Sequence, residues 1–263
     1  MRDPRMIVIT GASSGLGEAL ALGYAEPGRT LALTGRDPPR LSGVAARCRA
    51  AGARVISGVV DVTDRAAIAG WLSDIDRDQA VDLVIANAGI SLGAGDGLET
   101  EATTRAVFAT NVDGVLNTIQ PLIPAMIARR RGQIALMASL AGFRGMPTAV
   151  SYCASKAAVR VYGEGLRLQL APHGIGVSVI CPGFVRTAMT AGNGFPMPFL
   201  MDAPRAGAII RRGLARNRGR ISFPGPMAFA VWLLASLPPA WTDAALRQAP
   251  VKPASAAASG DRS

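Results

Sequence analysis

The sequence predicts a single α/β domain built on a doubly wound parallel sheet of about seven strands, with helices on both faces. Three observations carry that prediction. Short runs of aliphatic and β-branched residues recur along the chain, each almost continuously apolar rather than alternating, as strands buried on both faces require. Stretches of helical length and period separate them. The length, 263 residues, suits one large domain better than two.

The elements follow in chain order. MIVIT (6–10) is the first strand, and GEALALGYAEPG after it has helical composition. TLALT (30–34) and ARVISGVV (53–60) are the second and third strands, the latter followed by the helix-like RAAIAGWLSDI. VDLVIANA (81–88) is the fourth, and LIPAMIARRR precedes the fifth, GQIALMAS (132–139). A helix over 151–171 leads to the sixth strand, GVSVICP (176–182), and RISFP (220–224) is a short last strand. Strands alternating with helices imply right-handed crossovers and hence a parallel sheet. Residues 1–250 are expected to form this one unit, with a loop over 188–205 and an apolar C-terminal helix at about 225–247. The small, polar tail 251–263 is expected to be disordered.

Composition excludes several classes. Hydrophobic residues make up 49% of the chain, ample for a core. The net charge of +10 comes from dispersed residues, clustered only at Arg129–Arg131 and over 211–220, without the interleaved aromatics of a nucleic-acid footprint. A solvated, arginine-biased surface with no nucleic-acid partner is the reading. Cys48, Cys153 and Cys181 are widely spaced and fit neither a disulfide framework nor a metal site, so a reducing, cytoplasmic compartment and no metal are expected. The N-terminus enters its first strand without the apolar region of a signal peptide. The longest apolar run, MAFAVWLLASL (227–237), falls well short of the ~20 residues needed to span a bilayer.

Ligands of such a sheet bind beyond the carboxyl ends of its strands, so motifs placed there weigh most. TGASSGLG (10–17) follows the first strand and opens a helix. Its Gly11, Gly15 and Gly17 permit a tight turn against a pyrophosphate, flanked by Ser13, Ser14 and Leu16. The same letters match the Gly-x-Ser-x-Gly elbow of α/β hydrolases. That reading needs an acid between the serine and His173, the only histidine, and an elbow serine deeper in the chain. His173 is read instead as closing a helix before a strand.

After the second strand, Gly35 stands where an acid would bond a ribose 2′-hydroxyl, and Arg36 follows it. An arginine there accommodates a 2′-phosphate, so NADP is the expected cofactor, with NAD kept open by Asp37. Lys156 is one of two lysines in the chain and lies four residues after Tyr152. On a helix the two share a face. A phenol is a poor base near neutrality, and an adjacent ammonium lowers its pKa. Ser139, at the end of the fifth strand, can orient a carbonyl there, and Asn111 is a helical amide in need of partners.

Gly11-x-x-x-Gly15-x-Gly17, Asn87-Ala88-Gly89, Asn111, Ser139, Tyr152-x-x-x-Lys156 and Pro182-Gly183 together resemble the short-chain dehydrogenase/reductase family, over residues 6 to about 223. The resemblance implies a Rossmann fold with strand order 3-2-1-4-5-6-7. It implies hydride transfer between NAD(P) and a carbonyl or secondary alcohol, in a homodimer or homotetramer. By that resemblance Tyr152 is the acid/base, and Lys156 lowers its pKa and holds the nicotinamide ribose. Ser139 positions the carbonyl, and Asn111 anchors a relay water. Asp61 and Val62 would contact adenine, Asn87, Ala88 and Gly89 would line the cofactor cleft with Pro182 and Gly183, and Thr187 would bond the carboxamide. Leu140, Cys153 and Pro27 depart from the usual pattern without touching these roles. The methionines and phenylalanines after Thr187 suit an apolar substrate under a lid. The apolar segment 223–241 has three open fates: capping the cleft, pairing subunits, or lying in a membrane surface, with burial against the protein favoured. A dinucleotide-binding sensor without turnover is the alternative, against which the Asn–Ser–Tyr–Lys set speaks.

Overall fold

The computed structural model describes residues 3–92 and 97–247. Strand β1 (Met6–Thr10), helix α1 (Gly15–Tyr24), β2 (Thr30–Thr34), α2 (Pro38–Ala50), β3 (Arg54–Gly58), α3 (Arg65–Asp78) and β4 (Leu83–Ala86) form the first half. The second half runs α4 (Glu101–Phe108), α5 (Gly114–Ile119), α6 (Ile123–Ala128), β5 (Gly132–Met137), α7 (Val150–Leu170) and β6 (Ile175–Pro182). Beyond it come β7 (Val185–Arg186), α8 (Ala188–Ala191), β8 (Met201–Asp202), α9 (Ala203–Ala215), β9 (Arg220–Phe223), α10 (Gly225–Ser236) and α11 (Pro239–Leu246).

Seven strands make one parallel sheet in the order β3-β2-β1-β4-β5-β6-β9, the doubly wound Rossmann arrangement expected. The short β7 and β8 pair apart from it. Successive strand residues point to opposite faces, and two cores result. On one face Met6, Val8, Val84, Leu136 and Val179 pack under α3, α5 and α7. On the other, Ile7, Ile9, Leu31, Ile85 and Ile180 pack under α1, α2 and α9. Two-sided burial is why these strands are apolar throughout. At the amino edge, buried Asp82 accepts from the backbone N–H groups of Arg5 (2.7 Å) and Met6 (3.1 Å) and pairs with Arg131.

Several expectations are corrected here. The Arg129–Arg131 cluster is not simply solvated: Arg129 grips Asp76 through two bonds of 2.8 and 2.9 Å, and Arg131 holds Asp82. The single C-terminal helix expected over 225–247 is two helices, broken after Ser236. Pro238 and Pro239 follow in succession there, removing two N–H donors and pushing Leu237 out of the helical region to ψ 146°. That segment is buried only in part: Met227 and Ala228 pack against the core, while Phe229, Trp232, Leu233 and Trp241 are exposed. The tail 251–263 lies outside the described residues.

Candidate active site

The carboxyl ends of β1, β2, β4, β5 and β6 open on one cleft of about 730 Å³. Its floor is the turn between β1 and α1. Gly11 (φ +64°) and Gly15 (φ +60°) both adopt the left-handed conformation that side chains resist. A Cβ on Gly11 would come within 2.8 Å of the Ala88 Cα, and one on Gly17 within 2.1 Å of the Gly11 carbonyl oxygen. Asn87 Nδ2 ties the turn down by donating to the carbonyls of Thr10 (2.9 Å) and Gly11 (3.2 Å). Ser14 precedes α1 with its hydroxyl uncommitted to capping, so the positive end of that helix faces the cleft. This turn, with no Cβ at Gly11, Gly15 or Gly17, fits a pyrophosphate.

At the end of β2, a Cβ on Gly35 would meet the Ser13 hydroxyl at 3.0 Å, so the turn leaves little room for an acid there. Arg36 reaches over the cleft with its guanidinium 3.8 Å from Asp61. Asp37, the residue that kept NAD open, is engaged in capping α2: it accepts from the Arg40 N–H at 3.0 Å and pairs with the Arg40 side chain at 3.2 Å. Arg40 also lines the cleft and was missed from the sequence; its signal was a second arginine four residues after Arg36.

The chemical groups meet where β5 and α7 approach. Ser139 ends the β5 segment, accepts the Ala141 N–H (3.1 Å), donates to the Pro182 carbonyl (3.4 Å) and lies close enough to the Tyr152 hydroxyl to favour its ionised form. Lys156, only 3% exposed, donates to the Met137 carbonyl at 2.8 Å, and its Nζ lies 5.7 Å from the centre of the Tyr152 ring. Asn111 sits in a widened helical turn between α4 and α5, where the Gly114 N–H reaches back to the Ala109 carbonyl. Its Oδ1 accepts from the Ile90 N–H (2.8 Å), and its Nδ2 donates to the Ile90 carbonyl (2.9 Å) and Ser155 Oγ (3.1 Å).

The electrostatics differ from the expectation that Lys156 draws the tyrosine down. Burial pushes the Tyr152 phenol above its ordinary pKa, and the neighbouring Ser139 hydroxyl pulls the other way. Burial also drives Lys156 down from 10.5 to about 8. Lys156 has left water while Tyr152 is partly exposed on the cleft wall, and burial is the largest influence on each.

The cleft gathers Gly11, Ser13, Ser14, Gly15, Leu16, Arg36, Asp61, Val62, Asn87, Ala88, Gly89, Ser139, Tyr152, Lys156, Pro182, Gly183 and Thr187. Two expected residues stand just behind its wall. Gly17 is packed against Gly11, and Asn111 is fully buried. Asn111 and Lys156 nonetheless flank Gly89, whose Cβ position lies 3.1 Å from Asn111 Oδ1 and 3.3 Å from Lys156 Nζ. Met146, Phe184, Phe195 and Met227 add an apolar wall. Met227 comes from α10, so the segment 223–241 borders the cleft, one of the three fates left open because an unbroken apolar run does not say which face it covers.

Residues 5–194 match the family described as short chain dehydrogenase, and the chain belongs to that family of NAD(P)-dependent oxidoreductases. An uncharacterized oxidoreductase of Myxococcus xanthus is 37% identical over 245 residues, 93% of this chain and 97% of that one. A solved short-chain dehydrogenase from Sphingobium yanoikuyae in complex with NADPH superposes with a TM-score of 0.78 at 26% identity, covering 95% of this chain and 98% of the other. A short chain dehydrogenase from Mycobacterium paratuberculosis bound to NAD gives 0.76 at 25% identity, covering 86% and 98%.

Proposed function

We propose that this protein is an NADP-preferring oxidoreductase that interconverts an apolar carbonyl compound and its secondary alcohol. The observation that carries it is the convergence of Ser139, Tyr152 and buried Lys156, its Nζ 5.7 Å from the Tyr152 ring centre, on one cleft whose floor fits a dinucleotide.

The turn Gly11–Gly15 and the start of α1 would hold the pyrophosphate. Arg36 and Arg40, with Ser13, would hold a 2′-phosphate, since a guanidinium fork binds phosphate oxygens in pairs. Asp61 and Val62 would border the adenine, Asn87, Ala88 and Gly89 the cleft between the two ends, and Thr187 with Pro182 and Gly183 the carboxamide end. Bound there, the reduced cofactor supplies a hydride to the carbonyl carbon.

The chain's own groups manage the oxygen. Ser139 donates a hydrogen bond to the carbonyl and holds it against Tyr152. Burial keeps the phenol protonated, so Tyr152 holds a proton to deliver as negative charge grows on the oxygen. Lys156 stabilises the phenolate that results, an interaction stronger in the transition state than in the ground state. Asn111 is a positioning residue that fixes Ile90 and Ser155 beside the lysine. Met146, Phe184, Phe195 and Met227 receive the apolar part of the substrate.

The test follows NADPH oxidation with aldehydes and ketones of increasing apolar chain length. Turnover that improves with chain length supports the reading. NADPH binding without turnover on any member would favour a dinucleotide sensor instead.

A further inference from the structure

Helix α7 carries Tyr152 in its first turn, where the N–H groups of a helix find no partner within it. The start of α7 does not supply one. Ala149 occupies the capping position without a side-chain acceptor, and its backbone (φ −155°, ψ 50°) lies outside the extended region that capping residues adopt. Ala149, Tyr152 and Cys153 all line the cleft, so the order of this turn bears on the chemistry there.

The acceptor comes from a distant segment. Glu99 Oε2 takes the Ser151 N–H at 2.9 Å, across 52 residues of sequence. Glu99 stands just before α4, whose own cap is Thr100, accepting the Thr103 N–H at 3.1 Å. Helix α4 packs along α7, and Asn111 lies beyond its other end. Asn111 Nδ2 donates to Ser155 Oγ (3.1 Å), which in turn donates to the Tyr152 carbonyl (2.8 Å). The two ends of α4 therefore hold the backbone on either side of the tyrosine, at the N–H of Ser151 and at the carbonyl of Tyr152. Burial pushes the Cys153 thiol up and Glu99 adds to the rise, as a negative charge beside this turn should.

We propose that Glu99 is a positioning residue for Tyr152: its carboxylate caps α7 from outside the helix and keeps the phenol in register with Ser139 and Lys156. Such a bond is charge-assisted and meets the positive end of the helix. Glu99 does not line the cleft, so it acts through α7 and not on the substrate. The role in catalysis rests on the reaction proposed above, with Tyr152 as proton donor, whereas the cap itself does not.

The test compares Glu99→Ala with Glu99→Gln in the full-length protein. The amide keeps an acceptor oxygen, and its NH2 takes the place of Oε1, which is buried with no partner among the described residues. Hydrogen exchange needs no substrate. In Glu99→Ala the first-turn amides of α7 should exchange about 10-fold faster, the value of a lost helix cap, with the last turns of α7 unchanged. In NADPH oxidation the same variant should lose about 10-fold in kcat with KM for NADPH unchanged, because the Gly11–Gly17 turn is untouched. Glu99→Gln should stay within about 3-fold of the wild type in both measurements. Exchange that does not change in Glu99→Ala overturns the cap. Faster exchange with kcat unaltered overturns the positioning role, as does a Gln variant impaired as far as Ala or a parallel loss of NADPH affinity. A wild type that reduces no carbonyl compound refutes the reaction and not the cap, which the exchange rates decide.

Discussion

Replacing Lys156 by methionine should make the protein more stable while removing its activity. Lys156 is 3% exposed, with one hydrogen bond, to the Met137 carbonyl. Its pKa, lowered from 10.5 to about 8, expresses the cost of keeping an ammonium in that place. A displacement of that size corresponds to about 3 kcal/mol. Methionine fills a similar volume without charge but forfeits the hydrogen bond, worth about 1 kcal/mol. The expected net gain is about 2 kcal/mol near neutrality, on the order of 5 °C in melting temperature. The pH dependence gives the sign an independent check. Between about pH 8 and 10.5 the unfolded chain holds the Lys156 proton and the folded chain has lost it, so this group's share of stability rises with pH through that window. Tyr24 and Cys181, whose pKa values burial raises to about 12 and about 11, act in the opposite sense at high pH. The difference between wild type and variant cancels them. Urea unfolding of both proteins from pH 7 to 10.5 should show the variant's advantage shrinking as pH rises. A variant less stable than the wild type at pH 7, or a difference that does not change with pH, would refute the reasoning.

Other consequences follow from the same geometry. Arg36→Ala should weaken NADPH binding by about 10- to 100-fold, the value of one or two charged hydrogen bonds, and leave NADH nearly unchanged by fluorescence titration. For the free enzyme, kcat/KM should fall as pH rises through about 8, when Lys156 loses its charge; a profile flat from 7 to 9 would contradict that assignment. Asp82→Ala should cost about 1 to 3 kcal/mol in urea unfolding, because it leaves the backbone N–H groups of Arg5 and Met6 without their acceptor, whereas the exposed Arg131 returns to water.

Much of this architecture was legible in the chain because two-sided burial forces continuous apolar strands, and those runs sit within two residues of the observed strand ends, β3, β4 and β5 being shorter. The glycine turn and the spacing of Tyr152 and Lys156 were legible for a similar reason: each is a local constraint written in adjacent letters. What escaped depends on distances through space. Asp82 and Arg131 lie 49 residues apart, and nothing local marks them as partners. The desolvation of Lys156 comes from strands and a loop packed over it, so spacing alone overstated its pull on Tyr152. Pro238 and Pro239 were in plain view, but the apolar pattern ran through them and concealed the break. Exposure of Trp232 and Trp241 is the converse case, since apolar residues ordinarily announce burial.

The most direct measurement replaces Tyr152 by phenylalanine and follows NADPH affinity and turnover together. If the phenol is the proton donor, turnover should drop by about 10²- to 10⁴-fold while NADPH affinity stays close to that of the wild type. Turnover that survives the loss of the hydroxyl would contradict the account at its centre.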